Sequence, residues 1–292
     1  MAHRYKYFSP ADAARTGRLS FIARQVVEGV ITGLHKSPHR GFSVEFSEHR
    51  EYVPGDELRH LDWRTYARSD RYYIKLYEQE TNLRATLVLD TSSSMQFGNK
   101  HEYGRHLCAC LAYLLAHQQD QVGLVTLDDR IRLELPPASS PAHLDRLFVE
   151  LEMEQVDAGR VTNIGPALHE LAERLPRRSL VILISDLWLD SDEFVRALQH
   201  LRYRRHQGLV LHVLDKAEVE LPYERQVTLE DLETGEKLQV DPRDLRATYR
   251  KHVQDYLTTV RRCCSDCDVE YHLMYVQDPY EKALVQLINR RS

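Results

Sequence analysis

The chain has 292 residues, 42% of them hydrophobic and 28% charged, with a formal net charge of -5. This is the composition of a globular protein with room for one large domain, or a medium domain with an appendage. A near-neutral balance excludes a general nucleic-acid footprint, and no stretch approaches the roughly 20 apolar residues of a membrane helix.

The first residues, MAHRYKYFSPADAARTG, lack the apolar run of a signal peptide, so the expected location is the cytoplasm, with no membrane span. An amphipathic helix is predicted over 18–34. After it, GFSVEFSEHREYVPGDELRHLDWRTYARSDRYYIKLYEQET mixes short β runs with a Pro54-Gly55 turn and dense Arg and Asp around Trp63. Arg59, Arg64 and Arg68, with Trp63 stacking, could contact nucleic acid. Glu51, Asp56, Glu57, Asp62 and Asp70 balance that charge, however, so the expectation is an internal Arg/Asp network in which Asp56, Asp62 and Arg64 are structural.

From residue 84 strands and helices alternate. RATLVLD reads as a buried strand, and 101–119 as a helix with an apolar stripe of Leu107, Cys110, Leu111, Leu114 and Leu115. QVGLVTLD is a second strand, and RIRLELPP its edge partner, ended by Pro136 and Pro137. Helices are predicted over 141–152 and 164–175. SLVILISD (179–186) is the most apolar strand and is expected at the centre; a helix capped by Asp190 or Ser191 and the strand LVLHVLD follow it. Residues 217–241 read as a small β excursion, two alternating strands around Glu233-Thr234-Gly235. A helix, the strand VEYHLMYV and a last helix occupy 243–291. The pattern predicts an α/β, Rossmann-like fold: a mostly parallel sheet, holding 87–90, 122–127, 180–185, 209–214 and 269–276, flanked by helices. Residues 42–82 and 218–241 are expected to be peripheral β structure, and the chain divides as 1–83 and 84–292.

The stretch LVLDTSSSM carries the chemistry. Leu87, Val88 and Leu89 suit a strand buried on both faces, and Asp90 stands at its carboxyl end, where open α/β sheets bind ligands. Asp90, Ser92 and Ser94 alternate, so their oxygens can converge; the plainer alternative is that Ser92 or Ser94 caps the next helix. Thr162, in GRVTNIGPAL, and Asp186, ending SLVILISD, lie in other loops at the same sheet edge. Two carboxylates and three hydroxyls are hard donors, and a magnesium-sized cation takes about six oxygens at roughly 2.1 Å, some through water.

D-x-S-x-S, a separated Thr and a separated Asp resemble the metal-ion-dependent adhesion site of von Willebrand A-type domains. YVPGDELRHLDWRTYARSDRYYIKLYEQE followed by LVLDTSSSM resembles, over nearly the whole chain, the bacterial family called domain of unknown function 58, which joins such a segment to a von Willebrand A-type domain. LEDLETGEKLQVDP and the tail ending NRRS are also similar. The resemblance implies Mg²⁺ (or Mn²⁺) at Asp90, Ser92, Ser94, Thr162 and Asp186, a protein partner that donates a carboxylate to the metal, and a chaperone-like or assembly role beside a MoxR-type AAA+ ATPase. Two departures stand out: Cys267-Asp268 where a Gly often precedes the last strand, and no transmembrane segment.

The alternative is an Mg-dependent hydrolase of a phosphoester. The haloacid dehalogenase pattern needs a second carboxylate two residues after Asp90, where this chain has Ser92. There is no G-x-x-x-x-G-K-[ST] loop and no G-x-S-x-G elbow, so a binding role is expected in place of catalysis. Cys264 and Cys267 form a C-x-x-C without a second half, and Cys263, Cys264 and Cys267 are expected to pack at a helix end.

Overall fold

A computed structural model describes residues 18–35, 49–51, 66, 72–75, 83–154, 163–230 and 236–289. The chain divides into two compact units, Ile31–Thr81 and Met1–Val30 with Asn82–Ser292. In the smaller, β1 (His49–Glu51) pairs antiparallel with β2 (Tyr73–Lys75), and the Tyr66 and Tyr72 rings stack at 4.5 Å. Asp56, Arg59, Asp62, Trp63, Arg64 and Arg68 lie outside the described residues.

The larger unit is built on one sheet. Among the described residues its strands are β3 (Arg84–Asp90), β4 (Gln121–Leu127), β5 (Ile131–Ala138), β6 (Leu180–Ser185), β7 (Gln207–Leu214) and β10 (Val269–Tyr275), in the order β10-β7-β6-β3-β4-β5. All pair parallel except β5, which runs antiparallel to β4 at the edge. This is the expected doubly wound α/β arrangement, with its switch point between β3 and β6. Pro136 and Pro137 lie inside β5 and do not end it; an antiparallel edge strand with a shifted register tolerates the missing N–H groups.

The apolar run of β3 serves both faces because side chains alternate along a strand. Val88 joins a core with α4 (Ile164–Arg174), α5 (Ser191–Tyr203) and α7 (Pro242–Asp266). Leu89 faces α2 (Lys100–His117), which comes so close that a β-carbon on Gly104 would sit 2.9 Å from the Leu89 side chain. The predicted stripe of α2 is buried in full, and Cys108, Ala109 and Ala112 are buried with it. That wider burial follows from contacts with α3 (Pro141–Met153) and α8 (Glu281–Asn289) as well as with the sheet. α1 (Arg18–His35) buries Leu19, Ala23, Val27 and Val30, and its Leu19 N–H donates to Glu152 at 3.0 Å.

The expected β excursion is only partly β. β8 (Val227–Glu230) and β9 (Lys237–Val240) form the antiparallel pair, but a short helix, α6 (Lys216–Glu220), precedes them. Its capping box explains this: the Asp215 side chain accepts from the Ala217 N–H, and Glu218 accepts from the Asp215 N–H. The five cysteines are buried and not in disulfides, and burial pushes the Cys110 and Cys264 thiols up to about 12. Among the described residues no helix is long and apolar enough to cross a membrane.

Candidate metal centre

Asp90 ends β3 and Asp186 directly follows the neighbouring parallel β6, so both carboxylates emerge at the same sheet edge. They are 2% and 1% exposed, which is unusual for carboxylates and requires partners. Asp90 Oδ1 accepts the Ser92 N–H at 2.8 Å, and Oδ2 accepts the Ser185 hydroxyl at 2.5 Å. The Ser92 and Ser94 hydroxyls are 3.0 Å apart, and Ser94 donates to Asp186 Oδ1 at 3.1 Å. One hydrogen-bonded chain therefore runs from Asp90 through the D-x-S-x-S turn to Asp186. The capping alternative is met in position only: Ser92 is the N-cap residue of a short 3₁₀ segment, Ser93–Asn99, but its side chain makes no cap bond, and the N-cap of α2 is Asn99. Ser93 is buried, and Thr91 turns away to donate to the Leu127 carbonyl at 3.0 Å.

The loop after Asp186 is held tightly. Leu187 takes left-handed backbone (φ 53), and its N–H donates to the Ser185 hydroxyl at 2.9 Å. The Tyr256 hydroxyl of α7 donates to the Leu187 carbonyl, and its ring stacks on Trp188 at 5.1 Å. His212 Nε2 lies 2.8 Å from the Asp186 carbonyl and Nδ1 2.8 Å from the Tyr271 hydroxyl; burial lowers this imidazole to about 4. A neutral ring that donates from Nε2 and accepts at Nδ1 satisfies both contacts. Asp190, the last acid of this loop, caps α5 by accepting from the Asp192 and Glu193 N–H groups.

Asp90, Ser92, Ser94 and Asp186 line one small, open crevice, with Ile164, Trp188 and Leu189 as its apolar wall. Thr162 lies outside the described residues. Two side chains that the sequence did not single out belong to the site. Ser185 bridges Asp90 and Leu187; its signal was a lone hydroxyl ending an otherwise apolar strand. Lys100 is completely buried and donates to Asp186 Oδ2 at 2.7 Å; as the first polar residue of a helix it carries no local sign of burial.

Whether such a place suits a cation is decided by its electrostatics. Burial, then the Asp186 charge, push Asp90 up to about 7, against the lowering effect of the bonds from Ser185 and Ser92. Its partners are hydroxyls and one N–H, all neutral. A desolvated carboxylate beside a second carboxylate, surrounded by hydroxyl oxygens, fits a hard divalent cation and no soft one.

The family described as protein of unknown function DUF58 matches residues 48–258. An uncharacterized protein of Mycobacterium tuberculosis is 28% identical over 264 residues, covering 87% of this chain and 83% of its own. Among solved structures the chain is similar to the conserved hypothetical protein BatB from Bacteroides thetaiotaomicron, at 17% identity and a TM-score of 0.46, over 71% of this chain and 98% of that one. It is also similar to the SpRpn10 VWA domain, at 13% identity and a TM-score of 0.40, over 70% and 95%.

Proposed function

The chain belongs to the family described as protein of unknown function DUF58, and on that premise we propose that it is a metal-dependent protein-binding adaptor. Asp90, Ser92, Ser94 and Asp186 would hold Mg²⁺ (or Mn²⁺), with Thr162 as the fifth donor expected from the sequence. A bound dication would supply an open coordination position for a carboxylate from a partner. The observation that carries the reading is Asp90: a carboxylate 2% exposed, beside a second carboxylate, with neutral bonding partners. Trp188 and Leu189, on the wall of the same crevice, give a docking carboxylate an apolar neighbour. One metal-bridged contact confers specificity within a larger interface and does not supply all its affinity.

The partner we propose is a MoxR-type AAA+ ATPase, in a chaperone-like or complex-assembly role. The test is binding of the purified chain to such an ATPase in Mg²⁺ and in EDTA. Binding should weaken strongly in EDTA and with Thr162→Ala or Asp186→Ala, while Ser93→Ala should keep it. ATP hydrolysis should follow the ATPase and never this chain alone. Equal binding in EDTA would reassign the metal to structure and remove the adaptor's mechanism.

A further inference from the structure

The Lys100 ammonium lies 2.7 Å from Asp186 Oδ2 and 2.5 Å from Glu218 Oε1, and the residue is fully buried. Burying a lysine between two carboxylates is expensive unless the geometry is held, and the chain shapes its backbone to hold it. Phe97 leaves helical geometry, and Gly98 and Asn99 both take left-handed backbone, which turns the chain so that α2 begins at Lys100. Only glycine fits the turn: a β-carbon on Gly98 would lie 2.5 Å from Asp215 Oδ2. Asp215 is the cap of α6, so the lysine and the capping box are built against one another.

Both carboxylates around Lys100 divide their oxygens. Asp186 Oδ1 accepts from Ser94 in the crevice, while Oδ2 is turned to Lys100 behind it. Glu218 Oε2 completes the capping box, while Oε1 faces Lys100. The Tyr249 hydroxyl donates to the Glu218 carbonyl at 2.6 Å, which fixes this corner to α7.

We propose that Lys100 is a built-in counter-charge that sets how tightly the crevice holds a dication. The proposal rests on the reading of the crevice as an Mg²⁺ site. With the ammonium in place, Asp186 offers the crevice one oxygen and part of its charge. Without the ammonium, the whole Asp186 charge acts on the metal. Without the Glu218 charge, the ammonium leans on Asp186 alone and the site becomes more positive. Neutralising the two halves of one ion pair therefore moves metal affinity in opposite directions, which a general loss of packing would not do.

The experiment is calorimetric titration of the full chain with Mg²⁺, and Mn²⁺ titration read by electron paramagnetic resonance. Lys100→Met should tighten binding by about tenfold or more and Glu218→Gln weaken it by about threefold or more, as Coulomb interactions over a few ångströms at a screened, part-buried site dictate. The double variant should lie between them. If Lys100→Met does not fold, the double variant replaces it, and must bind more tightly than Glu218→Gln alone. Wild type binding metal while both single variants bind more weakly, or unchanged, would overturn the proposal and leave the metal site standing. A double variant no tighter than Glu218→Gln would overturn it as well. Wild type that binds neither ion would overturn the metal reading itself.

Discussion

Replacing Asp90 by Asn should change how stability depends on pH, because it removes a proton that the native state holds and the unfolded chain releases. Asp90 is pushed from 3.8 to about 7, first by burial and then by Asp186. Between those values the native protein binds the extra proton, so in EDTA its stability falls as pH rises through that window and levels off above it. A shift of about three pKa units, at roughly 1.4 kcal/mol each, makes the loss roughly 4 kcal/mol. Asp90→Asn keeps the shape and has no proton to lose. Urea unfolding in EDTA should therefore find the two proteins alike near pH 4, and wild type weaker by up to roughly 4 kcal/mol at pH 8, with unchanged m-values. Saturating Mg²⁺ should remove the deficit in wild type alone, since the ion binds only the ionised native site. Mg²⁺ affinity should also rise by about tenfold per pH unit up to about pH 7 and then flatten. A wild-type minus Asp90→Asn difference that is flat from pH 5 to 8 would show that Asp90 carries no extra proton in the native state.

Ser94→Ala, which removes the hydroxyl bonded to both Ser92 and Asp186, should weaken Mg²⁺ by roughly tenfold in calorimetry, while Ser93→Ala should keep the wild-type affinity. Tyr256→Phe, which frees the Leu187 carbonyl, should cost about 1–2 kcal/mol in urea unfolding and loosen metal binding as the strained loop relaxes. Asp268 takes left-handed backbone (φ 59) at the turn where the family resemblance expects glycine. Asp268→Gly should raise stability by about 0.5–1 kcal/mol and leave the metal titration untouched.

The sheet was legible because burial on both faces leaves runs such as LVL and LVILIS that no exposed element tolerates, and helical stripes fall between them. α6 escaped because Ala217–Glu220 alternates apolar and acidic residues, which reads as a strand. The signal that could have found it was Asp215-x-x-Glu218, an acid three residues after a capping acid. The wide burial of α2 escaped because a stripe counts only the face toward the sheet, whereas α3 and α8 also cover this helix.

The site shows where sequence and structure divide the work. Four neighbouring parallel strands send an aspartate to the same edge: Asp90, Asp128, Asp186 and Asp215. As strand-end letters they are interchangeable, yet their surroundings separate them. Asp128 is held by the Arg132 guanidinium at 2.6 and 2.7 Å, and Asp215 caps α6 while accepting from Gln277 at 3.0 Å. Both are satisfied by groups from their own neighbourhood, and neither belongs to the crevice. Asp186 gives one oxygen to Lys100 and the other to Ser94, so it is half neutralised and half presented. Asp90 has neutral partners and stands closest to its own hydroxyl motif. The alternation of Asp90, Ser92 and Ser94 was visible because all three lie within five residues. Lys100's role was not visible, because it depends on Asp186 and Glu218, 86 and 118 residues away. A local motif can thus name the donors of the proposed cation site, whereas the charge left over to attract a cation there depends on contacts that only the fold creates.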